Sequence, residues 1–217
     1  MSKSRPSEKG ERRPPSISTD LEFWRDVPAA LVHDASGSRG NMSPKIRAMV
    51  PGARMLGRAF TVKCPVGDYG AVSRALDEAS PGDVLVIDTG GTDRTPGCGG
   101  TAAAYAAHRG LAGCVTNGAV RDLEEIISVG LPVYATGTAV RGATGRSQQG
   151  STGIPVSVGG VIVAPGDLVI GDADGVVVVS ADHEEATRLR LGALMGRSHE
   201  IRAQLEVAST YLNLVER

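Results

Sequence analysis

The residues best equipped for chemistry stand in one stretch, Gly97 to Glu125, which reads GCGGTAAAYAAHRGLAGCVTNGAVRDLEE. A glycine-rich loop opens a helix of small residues, so free backbone N–H groups face the space ahead of it and can cradle an anion. The apolar strand Leu111 to Thr116 follows. After the Asn117-Gly118 turn, Arg121 and Asp122 stand side by side where a second helix begins. Arg121 offers a planar fork for a carboxylate, and Asp122 offers oxygen to a hard cation. Both residues also have plainer readings. Asp122 can cap the next helix, with Glu125 as its capping-box partner, and Arg121 can pair with a surface carboxylate. On residue type alone the plainer readings are the stronger.

Other chemistries find less support. Gly97-x-Gly99-x-x-Ala102 matches the letters of a dinucleotide fingerprint, but eight residues, Thr89 to Pro96, separate it from the preceding strand, where a nucleotide turn is tight. The four lysines are Lys3, Lys9, Lys45 and Lys63, and a Schiff base would need Lys45 or Lys63 buried. His33, His108, His183 and His199 show no metal spacing. Cys64, Cys98 and Cys114 form no C-x-x-C pair, and Cys98 reads as a small packing residue. Asp172 and Asp174 in GDADG could hold a cation, although a turn between strands is the stronger reading.

The elements that must position the stretch follow βαβ grammar. Strands are expected at Gly57–Cys64, Val84–Asp88, Leu111–Thr116 and Pro132–Ala135. Helices are expected at Ala71–Ala79, Gly100–Arg109 and Asp122–Val129. Val84-Leu-Val-Ile is a continuous apolar run, as a strand covered on both faces requires. Before them, Asp20–Asp34 reads as two short helices broken at Pro28. Residues 136–153, rich in Gly, Thr, Ser and Arg, form a long functional or interface loop. A hairpin follows across Gly159-Gly160, then strands at Leu168–Ile170 and Val176–Ser180. These closely spaced strands predict an antiparallel or mixed sheet packed on the βαβ part. Asp182 is expected to cap a C-terminal helical region, 182–214, with a break near Gly196. Residues 1–19 read as a disordered tail and 20–217 as a single domain.

Composition narrows the setting. A net charge of −1 gives no field for nucleic acid. The 41% hydrophobic content builds a core with only 3% aromatics. No apolar run reaches membrane-spanning length, and the odd cysteine count suits a reduced compartment, so a cytoplasmic protein is expected.

Taken together, the motifs resemble the RraA-like family of 4-hydroxy-4-methyl-2-oxoglutarate aldolases and regulators of ribonuclease E. Its aldolases carry a glycine, twenty residues, Arg-Asp, two residues, then an acid. Here that spacing falls on Gly100, Arg121, Asp122 and Glu125. Arg47-Ala-Met-Val-Pro-Gly52, Pro65-Val-Gly-Asp68, Ala75-Leu-Asp77, Pro81-Gly-Asp-Val-Leu-Val86, Pro155 to Gly160 and Pro165 to Val179 are similar as well, so the likeness spans roughly residues 30–190. The resemblance implies a swivelling β/β/α domain of the α/β class, assembled as homotrimers or homohexamers with sites between subunits. It implies a magnesium ion, or another divalent cation such as manganese, held by Asp122 largely through water. A glutamate of a neighbouring subunit would complete the metal site, and Glu200 is the candidate. Gly100, the N–H groups of Thr101 and Ala102, and Arg121 would bind the pyruvyl part of an oxo-acid substrate. The implied activity is metal-dependent retro-aldol cleavage of a 4-hydroxy-2-oxo acid to pyruvate, with oxaloacetate decarboxylation beside it. The alternative is a non-catalytic regulator of an RNA-degrading enzyme. A demethylmenaquinone methyltransferase, a label used in this family, finds no tight nucleotide loop here. Many members carry Glu at position 100, Asn at 69 and His at 73, where this chain has Gly100, Tyr69 and Ser73.

Overall fold

The computed structural model describes residues 21–92, 96–143, 145 and 149–203, the last seven as backbone alone. The expected N-terminal tail lies outside the described residues. Leu21 and Trp24 pack around a 3-10 turn, Glu22–Trp24, and Pro28 precedes the helix α1, Ala29–Ala35. The chain continues through β1 (Arg47–Ala48), β2 (Met55–Lys63), α2 (Gly70–Glu78), β3 (Asp83–Asp88) and β4 (Pro96–Cys98). Next come α3 (Gly100–His108), β5 (Gly113–Thr116), β6 (Ala119–Val120), α4 (Leu123–Val129), β7 (Val133–Ala135) and β8 (Ser151–Thr152). The last elements are β9 (Val156–Val158), β10 (Val161–Val163), β11 (Leu168–Asp172), β12 (Gly175–Val179) and α5 (Ala181–Ala203).

The βαβ grammar produces four parallel strands, β2, β3, β5 and β7, with β2 to β3 and β3 to β5 paired over most of their lengths. The antiparallel strands β11 and β12 extend this same sheet beyond β2, and β1 and β8 add antiparallel pairings to β7 and β2. The fold is thus mixed α/β, and its two strand types share one sheet instead of forming two stacked ones. That sheet is nearly closed. Met42 donates its N–H to Val176 on the outer edge of β12 (2.9 Å), and five residues later β1 pairs with β7 on the opposite edge.

Alternation along the strands sorts three apolar clusters. Val84 and Val86 of β3 face inward with Val169, Val176 and Val178, whereas Leu85 and Ile87 face out beneath α2, α3 and α4. Leu168, Ile170, Val177 and Val179 face out on the other flank, under α1, Trp24 and Leu191 of α5. Continuous Val-rich runs form because both faces of each strand are covered. The β9–β10 hairpin turns on Gly159 and Gly160, whose φ of 60° and 84° suit a tight primed turn, and it adds Val156, Val158 and Val163 to the inner cluster.

Two details of the C-terminal region differ from expectation. Helix α5 begins at Ala181, so Asp182 lies inside its first turn, where an acid favours the positive end of the helix dipole without capping it. The helix also runs through Gly196 without a break, as a single exposed glycine permits at about 1 kcal/mol. Residues 204–214 of the expected region lie outside the described residues. Among the described residues no helix is long and apolar enough to cross a membrane.

Candidate active site

The short strands β4 and β6 run parallel off the main sheet and bring two chain segments together. Arg121 donates its N–H to the Cys98 carbonyl at 3.2 Å, which sets the Arg121-Asp122 pair beside the loop that opens α3. Sequence patterning missed this pair because strands of two and three residues carry no periodicity. Gly99 is the floor of the site. A Cβ there would lie 3.3 Å from Arg121 Cγ and 3.5 Å from Asp122 Oδ2. Gly100 is required as well, since any side chain would collide with Glu125, which reaches back from α4.

The first turn of α3 has no cap. Gly99 occupies the cap position without a side chain, and the N–H groups of Gly100, Thr101 and Ala102 have no partner among the described residues. These are the orphan donors that a helix start leaves for an anion.

Asp122 sits at the cap position of α4 but does not cap it. Its side chain makes no hydrogen bond to the helix, and its backbone is left-handed at φ 59°, ψ 47°. That conformation costs a non-glycine residue about 1 kcal/mol. Glu125 lies over Gly100, so the capping-box reading does not describe this turn. Instead, Asp122 Oδ2 accepts from Arg121 Nε at 3.1 Å, with the two side chains 41% and 43% exposed. An ion pair so exposed contributes at most about 1 kcal/mol, which only offsets the backbone strain. Stability therefore does not explain the arrangement, and strain without a stabilising return is a mark of functional sites.

The pair leaves usable valences. Among the described residues only Nε of Arg121 is engaged, which leaves its two terminal nitrogens as a fork for a carboxylate. Oδ1 of Asp122 has no partner among the described residues. Those residues contain no group of three potential metal ligands. One open carboxylate fits a cation that keeps most of its water shell, as magnesium does, and does not fit a closed protein cage. The side chain of Glu200 lies outside the described residues.

The family described as RraA-like, Aldolase/RraA, matches residues 29–178. The chain belongs to the RraA-like family. It is 36% identical over 162 residues to a Halalkalibacterium halodurans protein that carries the provisional name 4-hydroxy-4-methyl-2-oxoglutarate aldolase, covering 75% of this chain and 77% of that one. Among solved structures, an uncharacterized protein from Pseudomonas syringae pv. tomato is similar at TM-score 0.80 and 28% identity, over 94% of this chain and 99% of that one. The RNA-processing inhibitor RraA from Thermus thermophilus is similar at TM-score 0.65 and 30% identity, over 71% and 93%.

Within this RraA-like chain, the residues of the spaced motif meet in space: Gly100 lies beneath Glu125, and Arg121 and Asp122 lie over Gly99. The Tyr69 hydroxyl is buried and unpartnered among the described residues, and burial beside Cys98, Cys114 and Cys64 raises its pKa. Ser73 is exposed on α2. Asp172 proves structural, since its two carboxylate oxygens accept the N–H groups of Ala29 (2.8 Å) and Asp174 (3.0 Å). A residue that the sequence did not single out is Gly142, where a Cβ would overlap Nη1 of Arg121. The Gly-rich composition of residues 136–153 marked the loop but not that position.

Proposed function

We propose that this chain is a divalent-metal-dependent lyase that cleaves a 4-hydroxy-2-oxo acid to pyruvate and a second oxo acid, and that decarboxylates oxaloacetate through the same enolate. The observation that carries the reading is the uncapped start of α3 beside Arg121, whose stem lies over the Gly99 cap position and whose terminal nitrogens are unpaired among the described residues. The likeness to proteins named as aldolases supports the lyase class.

The substrate carboxylate is held by the open N–H groups of Gly100, Thr101 and Ala102 together with the free edge of Arg121. Retro-aldol cleavage removes the proton of the 4-hydroxyl, forms the new carbonyl there and breaks the C3–C4 bond. The electron pair of that bond passes into the 2-oxo group as an enolate, which pyruvate formation quenches with a proton at C3. Arg121 places fixed positive charge beside the oxygen that gains it. A bound magnesium or manganese ion, held by Asp122 and by Glu200 of a neighbouring copy, would supply a Lewis acid at the keto oxygen. Lys45 and Lys63 are exposed, without the burial that would fit either for a Schiff base. Assembly as a trimer or hexamer is part of this proposal.

The likeness to the RNA-processing inhibitor RraA supports a second reading, a ring that regulates an RNA-degrading enzyme by contact. Pyruvate release from oxaloacetate and from 4-hydroxy-4-methyl-2-oxoglutarate, with magnesium and then with a chelator, separates the two. Release that the chelator abolishes is the expected result. A folded oligomer that releases pyruvate from neither compound favours the regulator.

A further inference from the structure

Arg121 is set at three points, and only two of them belong to the stretch around the motif. Its aliphatic stem lies over Gly99, whose ideal Cβ would stand 3.3 Å from Cγ and 3.9 Å from Cδ. Its Nε donates to Asp122 at 3.1 Å. Its Nη1 rests against the backbone at Gly142, in the loop after β7, at a distance that leaves no room for a side chain. The exposed pair with Asp122 cannot by itself hold a long, rotamer-rich side chain in one place.

The loop is hydrogen-bonded to the body of the protein at residues on either side of this point. Val120 donates to the Gly137 carbonyl at 2.9 Å, and Ala139 donates back to the Val120 carbonyl at 2.8 Å, next to Arg121 itself. On the far side, Tyr69 donates to Gly145 O at 2.9 Å and Gly145 donates to Gly67 O at 3.0 Å. Anchored on both sides of Gly142, the backbone resists displacement more than a side-chain terminus does. Gly142 is not in the left-handed region, so an added methyl would tax only the space that the guanidinium occupies.

We propose that Gly142 is a positioning residue for Arg121: the bare backbone at this position turns the free edge of the guanidinium toward the start of α3. The inference rests on the reading of Arg121 as the oxo-acid clamp. It also gives the 136–153 loop a role in that clamp, since a loop that recedes or carries a side chain here would aim the guanidinium elsewhere.

The test places Gly142→Ala in two backgrounds, wild type and Arg121→Lys, whose side chain lacks the Nη1 atom. Turnover of oxaloacetate with magnesium and binding of oxalate, a planar enolate mimic, are both measured. In the wild-type background, kcat/KM and oxalate affinity fall by about tenfold, mostly through KM. In the lysine background both fall less than about threefold, because the overlapping atom is gone. Tm stays within about 2 °C in both. Equal losses in the two backgrounds, a fall in Tm, or unchanged kinetics in Gly142→Ala overturn the proposal. If Arg121→Ala retains wild-type turnover and oxalate binding, the clamp reading itself fails and the positioning role falls with it.

Discussion

The N-termini of α1 and α3 present the same backbone groups in opposite states. At α1 the first N–H, from Ala29, is taken by the buried carboxylate of Asp172, which is distant in sequence. At α2 the Gly70 N–H is likewise taken by Asp68 at 2.8 Å, and the Cys64 thiol faces the Val72 N–H. At α3 the cap is Gly99, and the N–H groups behind it have no partner among the described residues. Where the chain needs a helix start only for its core, it supplies its own anion. At α3, glycines leave the donors open, with the Glu125 carboxylate over Gly100 and the stem of Arg121 over Gly99. The difference separates a scaffold from a site within one sheet.

Three substitutions bear on that contrast. Arg121→Ala removes the cation beside the open helix start. Metal-dependent pyruvate release falls on the order of 10²–10³-fold, as for the loss of one fixed donor to a developing oxyanion, while Tm changes little because the side chain is 43% exposed. Asp172→Ala gives the mirror result. It strands the N–H groups of Ala29 and Asp174, lowers stability by about 1–3 kcal/mol in urea unfolding, and leaves kcat/KM within about twofold wherever the protein is folded. A variant that lost turnover without stability would place Asp172 in the site and break the comparison.

The third acts through pH at the filled start of α2. Burial pushes the Cys64 thiol from 9.0 up to about 11, and the Val72 N–H pulls the other way. Above pH 9 the unfolded chain loses this proton and the folded chain keeps it, so unfolding releases a proton and stability falls as pH rises. The thiol contributes a slope of up to about 1.4 kcal/mol per pH unit between 9 and 11. Urea unfolding at pH 8, 9 and 10 reads it, and Cys64→Ala flattens it. An unchanged slope would place the thiol outside the core.

Much of the scaffold was legible. The Val84-Leu-Val-Ile run, the Gly159-Gly160 turn and the small-residue helix after Gly100 each carry local chemistry that permits one conformation. The site was legible only as spacing. Gly100, Arg121, Asp122 and Glu125 could be named, but the capping reading of Asp122 was locally the better one. It fails because β4 and β6 pull Arg121 against Gly99, and the Asp122 backbone turns left-handed to follow. GDADG was legible as a turn, which Asp172 closes by accepting the Asp174 N–H, but its bond to Ala29 and the place of Gly142 left no local trace, since each is defined by a partner far away in the chain.

The sequence by itself determined the strand and helix grammar, the glycine cradle and the residue types at the site, because periodicity and turn chemistry act over a few residues. Tertiary structure alone decided that the start of α1 is filled by Asp172, how the sheet nearly closes, and where the guanidinium of Arg121 rests. Those outcomes depend on contacts between distant segments, Asp172 with Ala29, Met42 with Val176 and Gly142 with Arg121. Such contacts exist only once the sheet has set the segments side by side.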